Sequence, residues 1–297
     1  MKYVLVDGFN LAFRAYHAMP ALTRRDGFPV GALHGWVRIL WKLLDQETPC
    51  RLTVFFDKDG SRRHLALHAG YKANRAETPP ALVAQIPELK AIAAHLGFAL
   101  AEQSGVEADD LIASAAGALD AQGHSVRIAS SDKDFAQCVN ARVNLLVPPP
   151  AGAPKTGWTL LDADGVNARF GVSPERIVDY LALTGDTVDN IEGIPGVGPK
   201  TAVAWLAKHG DLDGVLKDAD AIEPPRFRPI LRDSAALLQR NRELIAFRRD
   251  FQGDWDATAP VDATAARAFF ERMEMRSSLL EFERRHGTQA PAQLELF

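Results

Sequence analysis

Nine acidic residues stand in short motifs whose side chains can act together on a phosphate ester. They are Asp7, Asp57, Glu107, Asp109, Asp110, Asp132, Asp134, Asp186 and Asp189. Gathered near one crevice, they would repel one another strongly unless cations compensated them. Oxygen-rich sites suit Mg²⁺ or Mn²⁺, whereas thiolate and imidazole sites suit zinc, and the sequence has neither CxxC nor HExxH. Two hard cations about 4 Å apart can activate a water and stabilise a departing oxygen, so we predict metal-assisted phosphodiester hydrolysis.

The elements that position these acids follow from the apolar pattern. Short apolar runs lead into Asp7, Asp57 and Asp132, and helical patterns such as 30–44 and 82–96 lie between them. This alternation predicts an α/β fold, with a central mostly parallel sheet flanked by helices. The crevice of such a sheet lies at the carboxyl ends of its strands. The three strand-end carboxylates are therefore expected to converge.

The other acids have a plainer explanation when each motif is taken alone. Glu107 and Asp110 are three residues apart, so they share a face on the opening turn of a helix, where acids also compensate the helix dipole. The motifs at 131–134 and 185–190 add four carboxylates, and Asp is common in loops and caps. Their combination, rather than any single motif, favours a metal site.

Composition sets the class of protein. The chain has 297 residues, of which 47% are hydrophobic and 24% charged, as in an ordinary globular protein. Two cysteines are too few for a disulfide framework, so we expect a cytoplasmic protein. The apolar N-terminal run meets Asp7 too early for a signal peptide or membrane span, and no membrane association is expected.

The formal net charge of −4 argues at first sight against nucleic acid, but the distribution of charge matters more. Two stretches concentrate cations: Arg62, Arg63, His64, His68, Lys72 and Arg75 in one, and Arg226, Arg228, Arg232, Arg240, Arg242, Arg248 and Arg249 in the other. Composition alone favours solvated helix faces for both. A basic binding surface hidden by a cluster of acids is the alternative.

Five motifs together resemble a known family. They are DGFNLAFRAYHA at 7–18, VFFD at 54–57, GVEADD at 105–110, DKD at 132–134 and GDTVDN at 185–190. In this order they resemble the 5′-nuclease domain of bacterial DNA polymerase I and the stand-alone bacterial and phage flap endonucleases. The similarity runs from residue 2 to about 250. No polymerase domain follows, so we expect the free-standing form, acting as a monomer.

The resemblance implies an architecture for the whole chain. A metal-binding α/β domain of the PIN-like 5′-nuclease type is expected at 1–172, with a mobile helical arch at about 62–90. A helical region with a helix-hairpin-helix (H3TH) element is expected at 173–286, and a flexible tail at 287–297.

The resemblance also implies roles for the acids and for nearby cations. One metal would be held by Asp7, Asp57, Glu107 and Asp109, and a second, partly through water, by Asp110, Asp132, Asp134, Asp186 and Asp189. Around the scissile phosphate the family places basic residues that match Arg14, Lys72 and Arg75, where they would offset charge in the transition state. Tyr71 matches an aromatic on which a terminal base stacks. His64 stands where the family usually has Arg, which leaves open whether Arg63 supplies that guanidinium.

The glycine-rich stretch GIPGVGPKT at 193–201 is not a nucleotide-binding loop. A Walker A motif needs Lys directly after its last Gly, and Pro199 separates Gly198 from Lys200. The stretch resembles the H3TH hairpin instead, which implies duplex contacts through Gly193, Gly196, Gly198, Lys200 and Thr201. It also implies a K⁺ ion on the backbone carbonyls of Leu183, Thr184, Glu192, Ile194 and Val197. Such contacts read backbone and shape, so little sequence preference is expected.

The last five residues, QLELF at 293–297, resemble the peptide by which bacterial repair proteins bind the sliding clamp. Leu294, Leu296 and Phe297 would fill an apolar pocket, and Gln293 would supply oriented hydrogen bonds. The plainer alternative is an amphipathic end that packs on its own domain.

The sequence therefore predicts a Mg²⁺- or Mn²⁺-dependent 5′-3′ exonuclease or flap endonuclease of DNA replication and repair, acting on branched or 5′-ended DNA. One alternative is a structure-specific DNA-binding protein with weak or no cleavage. A second is a small RNA-cleaving nuclease of the PIN type, which the hairpin, the arch-like segment and the length disfavour.

Overall fold

A six-stranded sheet forms the centre of the protein, whose computed structural model describes residues 1–150 and 157–287. The strands, in the order β3-β2-β1-β4-β5-β6 across the sheet, are parallel except for the antiparallel edge strand β6. Their bounds are β1 Lys2–Asp7, β2 Arg51–Phe55, β3 Ala99–Ala101, β4 Ser125–Ala129, β5 Val143–Val147 and β6 Thr159–Leu161. The predicted α/β class is confirmed.

The strand order places a topological switch at β1. From β1 the chain crosses to β2 on one side and later reaches β4 on the other, so the crevice opens at the carboxyl end of β1. β1 and its neighbours β2 and β4 are buried along nearly their whole length. The sequence therefore shows continuous apolar runs in these strands rather than alternating apolar and polar residues.

Fourteen α-helices and three short 3-10 helices lie within the described residues. The α-helices are α1 Gly8–Ala18, α2 Gly31–Glu47, α3 Arg62–Leu67, α4 Pro80–Val83, α5 Ile86–His95, α6 Ala108–Ala121, α7 Ala163–Phe170, α8 Ile177–Thr184, α9 Pro199–His209, α10 Leu212–Lys217, α11 Phe227–Asp233, α12 Ala235–Ile245, α13 Ala263–Arg272 and α14 Arg276–His286. The 3-10 helices are Lys133–Cys138, Pro174–Arg176 and Ala219–Ala221.

Two hydrophobic cores cover the two faces of the sheet. One joins α6 to the helical region that runs from α8 to α12. The other joins α1, α2 and α5 to α13 and α14, with Phe270 and Phe282 fully buried in it. The region expected as one helical unit at 173–286 is therefore divided between the two faces. The cause is the apolar faces of α13 and α14, which have their packing partners on α2 and α5.

The segment expected as an arch, 62–90, consists of short helices joined by turns. It contains α3, α4 and the first turn of α5, and α5 packs on the sheet through Leu89 and Ile92. Residues 68–75 form turns that lie against residues 187–190, where the side-chain amide of Asn74 donates to the backbone oxygen of Thr187 at 2.6 Å. The expected mobility of this segment stays a prediction.

A two-stranded ladder, β7 Gly185–Asp186 and β8 Ile191–Glu192, connects α8 to the glycine-rich hairpin before α9. Its backbones approach so closely that a Cβ on Gly185 would lie 2.4 Å from the Gly193 nitrogen. A Cβ on Gly193 would lie 2.3 Å from the Thr184 carbonyl carbon. Gly185 also has a positive φ of 76°, so only glycine suits this crossing.

In the described residues no helix combines the length and the apolar character that crossing a bilayer requires. The tail residues Gln293, Leu294, Leu296 and Phe297 lie outside the described residues, so their expected role is carried forward as a proposal.

Candidate active site

A cleft of about 1220 Å³ opens at the carboxyl ends of the central strands. Acids and cations of the sequence motifs share its wall, which includes Asp7, Arg14, Asp57, Lys72, Arg75, Asp109, Asp132, Lys133, Asp186 and Asp189. The motifs are spread over more than 180 positions of sequence, and the sheet topology brings them together. The expected convergence of Asp7, Asp57 and Asp132 is what the structure shows.

The strand-end acids are held by nearby hydrogen-bond donors. Asp7 accepts from the backbone N–H of Asn10 at 3.0 Å, which caps α1, and from the Ser130 hydroxyl at 2.9 Å. Asp57 accepts from the backbone N–H of Ala108 at 2.8 Å. These donors fix one orientation for each carboxylate and leave further oxygen lone pairs for another ligand.

Helix α6 carries the next group of acids at its N-terminus. Glu107 is the N-cap residue and Asp109 lies in the first turn, where the side chain of Asp109 reaches the cleft. The carboxylate of Asp110 instead accepts from the backbone N–H of Arg248 at 2.8 Å, and Asp110 is absent from the cleft wall. In this conformation Asp110 therefore ties α6 to the chain beyond α12, and its expected metal role stays a prediction.

Three further acids form the tightest group of oxygens. One carboxylate oxygen from each of Asp134, Asp186 and Asp189 lies within 4.8 Å of the other two. Oδ1 of Asp134 is buried without a hydrogen-bond partner among the described residues, and Lys133 forms an ion pair with Asp186. The Lys133 ammonium lies 3.8 Å from Oδ1 of Asp134 and so provides positive charge there without a hydrogen bond. An oxygen-only donor set with such a buried carboxylate oxygen fits a hard divalent cation.

Several acids of the cleft hold their protons more tightly than free carboxyls do. Burial, together with Asp132 and Asp57, raises the pKa of Asp7 to about 7. Burial, and then the neighbouring Asp7 and Asp132, raises the pKa of Asp109 well above its ordinary value. Burial and then Asp132 do the same for the pKa of Asp134. A cation bound among these acids would therefore favour their charged forms.

Binding of Mg²⁺ should therefore strengthen as pH rises. At pH 6 a carboxyl with a pKa of about 7 is mostly protonated, and it must release that proton to bind a cation. One such group weakens apparent affinity by about tenfold between pH 8 and pH 6. Calorimetric titration of Mg²⁺ at both pH values checks this, and proton release is seen by repeating it in buffers of different ionisation enthalpy. Equal affinities without proton release would contradict it.

Cations of the segment 68–75 face these acids directly. The ammonium of Lys72 donates to Oε1 of Glu107 at 2.8 Å, and Arg75 forms an ion pair with Asp189. Burial lowers the pKa of Lys72, but Glu107, Asp109 and Asp189 outweigh it and the pKa lies above the ordinary value. Lys72 is thus charged near neutral pH. Arg14, which also lines the cleft, donates to the backbone oxygen of Pro149.

The aromatic Tyr71 does not offer an open face to a base in this conformation. Its ring is 9% exposed and stacks on His64 with centroids 4.6 Å apart. Its hydroxyl lies 3.2 Å from Glu107 and 3.3 Å from Asp189, so it donates to the acid cluster. In this conformation Tyr71 is buried between His64 and the carboxylates, and its expected stacking role stays a prediction.

The residues that bear on the missing arch guanidinium lie in the same place. Arg63 donates to the backbone oxygen of Glu243, and whether it supplies that guanidinium stays open. His64 faces the cluster instead, with Nδ1 3.5 Å from Glu107 and Nε2 3.1 Å from the Leu244 oxygen. Burial lowers the pKa of His64, so a neutral ring is favoured there.

The hairpin leads into α9 with Gly198 at its N-cap. A Cβ on Gly198 would meet no atom within 4 Å, and Lys200 is exposed, so this face is open to a large ligand. Gly196 has a positive φ of 79° and makes the turn. The N–H of Thr201 bonds to the oxygen of Gly198 within the first turn of α9.

Three of the carbonyls expected to bind K⁺ already accept hydrogen bonds. The Leu183 oxygen accepts from Ile194, the Ile194 oxygen from Val197, and the Glu192 oxygen from the Asn241 amide at 2.7 Å. A carbonyl oxygen has two lone pairs, so each can still accept a cation. The K⁺ assignment stays a prediction.

Sequence reasoning missed three contributors to the cleft. Lys133 pairs with Asp186, Ser130 donates to Asp7, and the amide of Asn190 bonds to the backbone of the segment 68–75. Lys133 had a signal, since it is the cation inside the Asp-Lys-Asp motif. The other two depend on contacts between distant segments, for which spacing gives no signal.

Two family models together match residues 2–266 of the chain. Residues 2–171 match the 5′-3′ exonuclease N-terminal resolvase-like domain, and residues 172–266 match the 5′-3′ exonuclease C-terminal SAM fold. The chain belongs to the 5′-3′ exonuclease family. A 5′-3′ exonuclease of Aquifex aeolicus is 34% identical over 285 residues, which cover 94% of this chain and 94% of the relative.

Other relatives of this 5′-3′ exonuclease family member are longer proteins. DNA polymerase I of Rhizobium leguminosarum is 38% identical over 268 residues, which are 86% of this chain but 25% of the relative. The chain thus spans about a quarter of that protein's length. Among solved structures, the T5 5′-exonuclease superposes with a TM-score of 0.68 at 22% identity, covering 96% of this chain and 98% of its own. The catalytic core of Rad2 superposes with a TM-score of 0.60 at 16% identity, covering 94% and 91%. At these identities the two structures support the fold.

Proposed function

We propose that this protein is a structure-specific 5′-3′ exonuclease and flap endonuclease that hydrolyses DNA phosphodiesters at or near 5′ ends and junctions. The observation that carries this is the meeting of acids from five separate motifs with Lys72 and Arg75 in one cleft at the β1 switch point. Family membership supports the same reaction. Solved relatives of the same fold include a T5 flap endonuclease in complex with DNA and metal ions.

The cofactor proposed is a pair of divalent cations, Mg²⁺ or Mn²⁺. The oxygen ligands of Asp134, Asp186 and Asp189 fit one of them, with Asp132 beside them. The strand-end acids Asp7 and Asp57, with Glu107 and Asp109, offer the oxygens for the other. Divalent cations held there would lower the pKa of an attacking water and offset charge on the departing oxygen.

The chain's own cations would complete the electrostatics. Lys72 and Arg75 lie in the part of the cleft wall formed by residues 68–75, and Arg14 lines the cleft from α1. Lys72 pairs with Glu107, and Arg75 pairs with Asp189. When DNA enters, both cations would turn from these carboxylates toward a phosphate and stay within the cleft. They would neutralise the charge that grows on the phosphoryl oxygens in the transition state.

The duplex arm would be held away from the chemistry by the hairpin before α9. Its open backbone at Gly198 and the exposed Lys200 suit phosphate contacts, aided by K⁺ on the neighbouring carbonyls. We propose that the protein acts in the cytoplasm as a monomer; its two cysteines, too few for a disulfide framework, favour a reducing compartment.

One labelled substrate tests the proposal. A 5′-flap DNA with a 5′ label is incubated with and without Mg²⁺, and product lengths separate flap release from stepwise exonuclease action. Binding without cleavage at any Mg²⁺ or Mn²⁺ concentration would favour the alternative of a DNA-binding protein. Faster cleavage of a single-stranded RNA than of the flap would favour a PIN-type ribonuclease.

The tail at 293–297 is proposed to bind the sliding clamp. A five-residue interface is small, so we expect a Kd on the order of micromolar, with most of the energy in Leu296 and Phe297. Deleting residues 293–297 should leave cleavage of a free flap unchanged and reduce activity on a clamp-loaded template, because tethering raises local concentration.

The measurement is fluorescence titration of the organism's own clamp with the intact chain and with the double variant Leu296→Ala/Phe297→Ala. The matched control is Glu295→Ala, which retains both apolar anchors. Indistinguishable binding of the intact chain and the double variant, or a lower melting temperature on deletion, would reduce the tail to a packing element.

A further inference from the structure

Asn190 joins the segment that carries the basic groups of the cleft to the segment that carries two of its acids. Its side-chain amide donates to the backbone oxygen of Gly70 at 2.7 Å, and its own backbone oxygen lies 3.1 Å from Nε2 of His68. The adjacent Asp189 accepts the backbone N–H of Lys72 at 3.0 Å. Each of the two segments therefore donates a hydrogen bond to the other, one from a side-chain amide and one from a backbone N–H.

The backbone on both sides of this contact is held in an unusual conformation. Lys72 has a φ of 57° and Asn190 a φ of 58°, both in the left-handed region. Asn tolerates that region well, whereas a long side chain such as Lys enters it at a cost. Contacts around Lys72 must offset that cost, and the hydrogen bond to Asp189 is the one at its own amide.

Close approach is part of the arrangement. A Cβ on Gly70 would lie 3.0 Å from the amide nitrogen of Asn190, so the absence of a side chain there admits the Asn190 amide. The contact between Gly70 and Asn190 therefore fixes the position from which residues 71–75 continue. From that position Lys72 reaches Glu107 at 2.8 Å, and Arg75 reaches Asp189.

We infer that Asn190 is a positioning residue, whose amide holds residues 68–75 so that Lys72 and Arg75 stay over the carboxylates. This inference rests on the proposed nuclease function. Asn190 itself would contact neither DNA nor metal. Its effect would be on the orientation of the Lys72 and Arg75 side chains. Misplacement of a catalytic group by about 1 Å is enough to lower a rate strongly.

Two variants remove the amide donor with opposite side effects. Asn190→Gly accepts the positive φ and adds no charge, whereas Asn190→Asp keeps the shape and local preference but adds a carboxylate. In single-turnover cleavage at saturating 5′-flap DNA and saturating Mg²⁺, both should be slower than wild type by about tenfold. Their Kd for the flap should stay within about twofold. Asn167→Asp, an exposed position on α7, is the matched control and should cleave at the wild-type rate.

Combination with Lys72→Ala and Arg75→Ala separates positioning from general damage. If Asn190 acts by placing these two cations, Asn190→Gly should cost little in the double-alanine background, and the cycle should be strongly non-additive. Full additivity would overturn the inference. So would a defect that appears only below saturating Mg²⁺, which would mean that Asn190 acts through Asp189 as a metal ligand.

A readout without catalysis completes the test. The backbone of Lys72 is held by its bond to the Asp189 oxygen, whereas residues 73–77 are exposed. Trypsin should therefore cut after Lys72 faster in both Asn190 variants than in wild type, because their residues 68–72 leave these contacts more often. Equal protection would overturn the inference even if the rates differ. If wild type itself does not cleave DNA, the proposed function fails while the proteolysis still reports on the contact. If wild type cleaves and the variants match it, only the role of Asn190 fails.

Discussion

Replacing Asp109 with Asn should reduce the single-turnover cleavage rate by at least about a hundredfold and leave flap binding intact. Asp109 lies in the first turn of α6 with its side chain in the cleft, where Asp7 and Asp132 are among its neighbours. Neutralising it removes a ligand charge from the cations, whereas the proposed duplex contacts are at the hairpin before α9. Loss of a negative charge should strengthen DNA binding slightly, if it changes it at all.

The control for this variant lies on the same helix. Asp120, at the other end of α6, pairs with Arg142 on the surface, and Asp120→Asn makes the same chemical change away from the cleft. It should cleave at the wild-type rate. The measurements are quench-flow rates at saturating Mg²⁺ and a fluorescence anisotropy titration in Ca²⁺. Near-normal turnover by Asp109→Asn would remove Asp109 from the metal site.

The second large effect separates chemistry from binding. Lys72→Ala should lower the single-turnover rate by about a hundredfold with little loss of affinity, because its ammonium lies among the carboxylates and acts in the transition state. Lys200→Ala should do the reverse. It should weaken duplex binding and reduce the salt dependence of binding by about one ion, while the chemical step stays close to normal.

The two variants serve as controls for each other, since each loses one ammonium from a described and differently placed segment. Rates at saturating DNA and binding titrations at several salt concentrations provide the comparison. Equal losses of affinity at unchanged rate in both variants would show that Lys72 is a binding residue only. A rate defect in Lys200→Ala at saturating DNA would instead connect the hairpin to the chemistry.

The sequence predicted the parts of the site that depend on local pattern and on sheet topology. Asp7, Asp57 and Asp132 follow buried runs, and parallel strands bring the ends of such runs to one edge, so their convergence required no knowledge of packing. Lys72 and Arg75 were found by resemblance, and the structure places both at the acids.

The remaining differences between the sequence predictions and the structure arise where segments that are distant in sequence pack against each other. Tyr71 matched a stacking aromatic, but its position against His64 and Glu107 is decided by contacts that spacing does not encode. The same holds for α13 and α14, whose apolar faces indicate burial without indicating which face of the sheet buries them. Asp110 shares a helical turn with Asp109, yet the N–H of Arg248 draws its carboxylate elsewhere.

The glycine crossing between β7 and β8 has a consequence for genetics. Gly185 precedes the Asp186 motif and Gly193 opens the hairpin, and neither position has space for a methyl group. A substitution at either glycine would push apart the acids on one side and the proposed phosphate-binding turn on the other. Alleles at these positions are therefore expected to lose both catalysis and DNA binding, and to behave as null alleles. Separation-of-function alleles are to be sought at positions such as Lys72 and Lys200, where one task can be removed without the other.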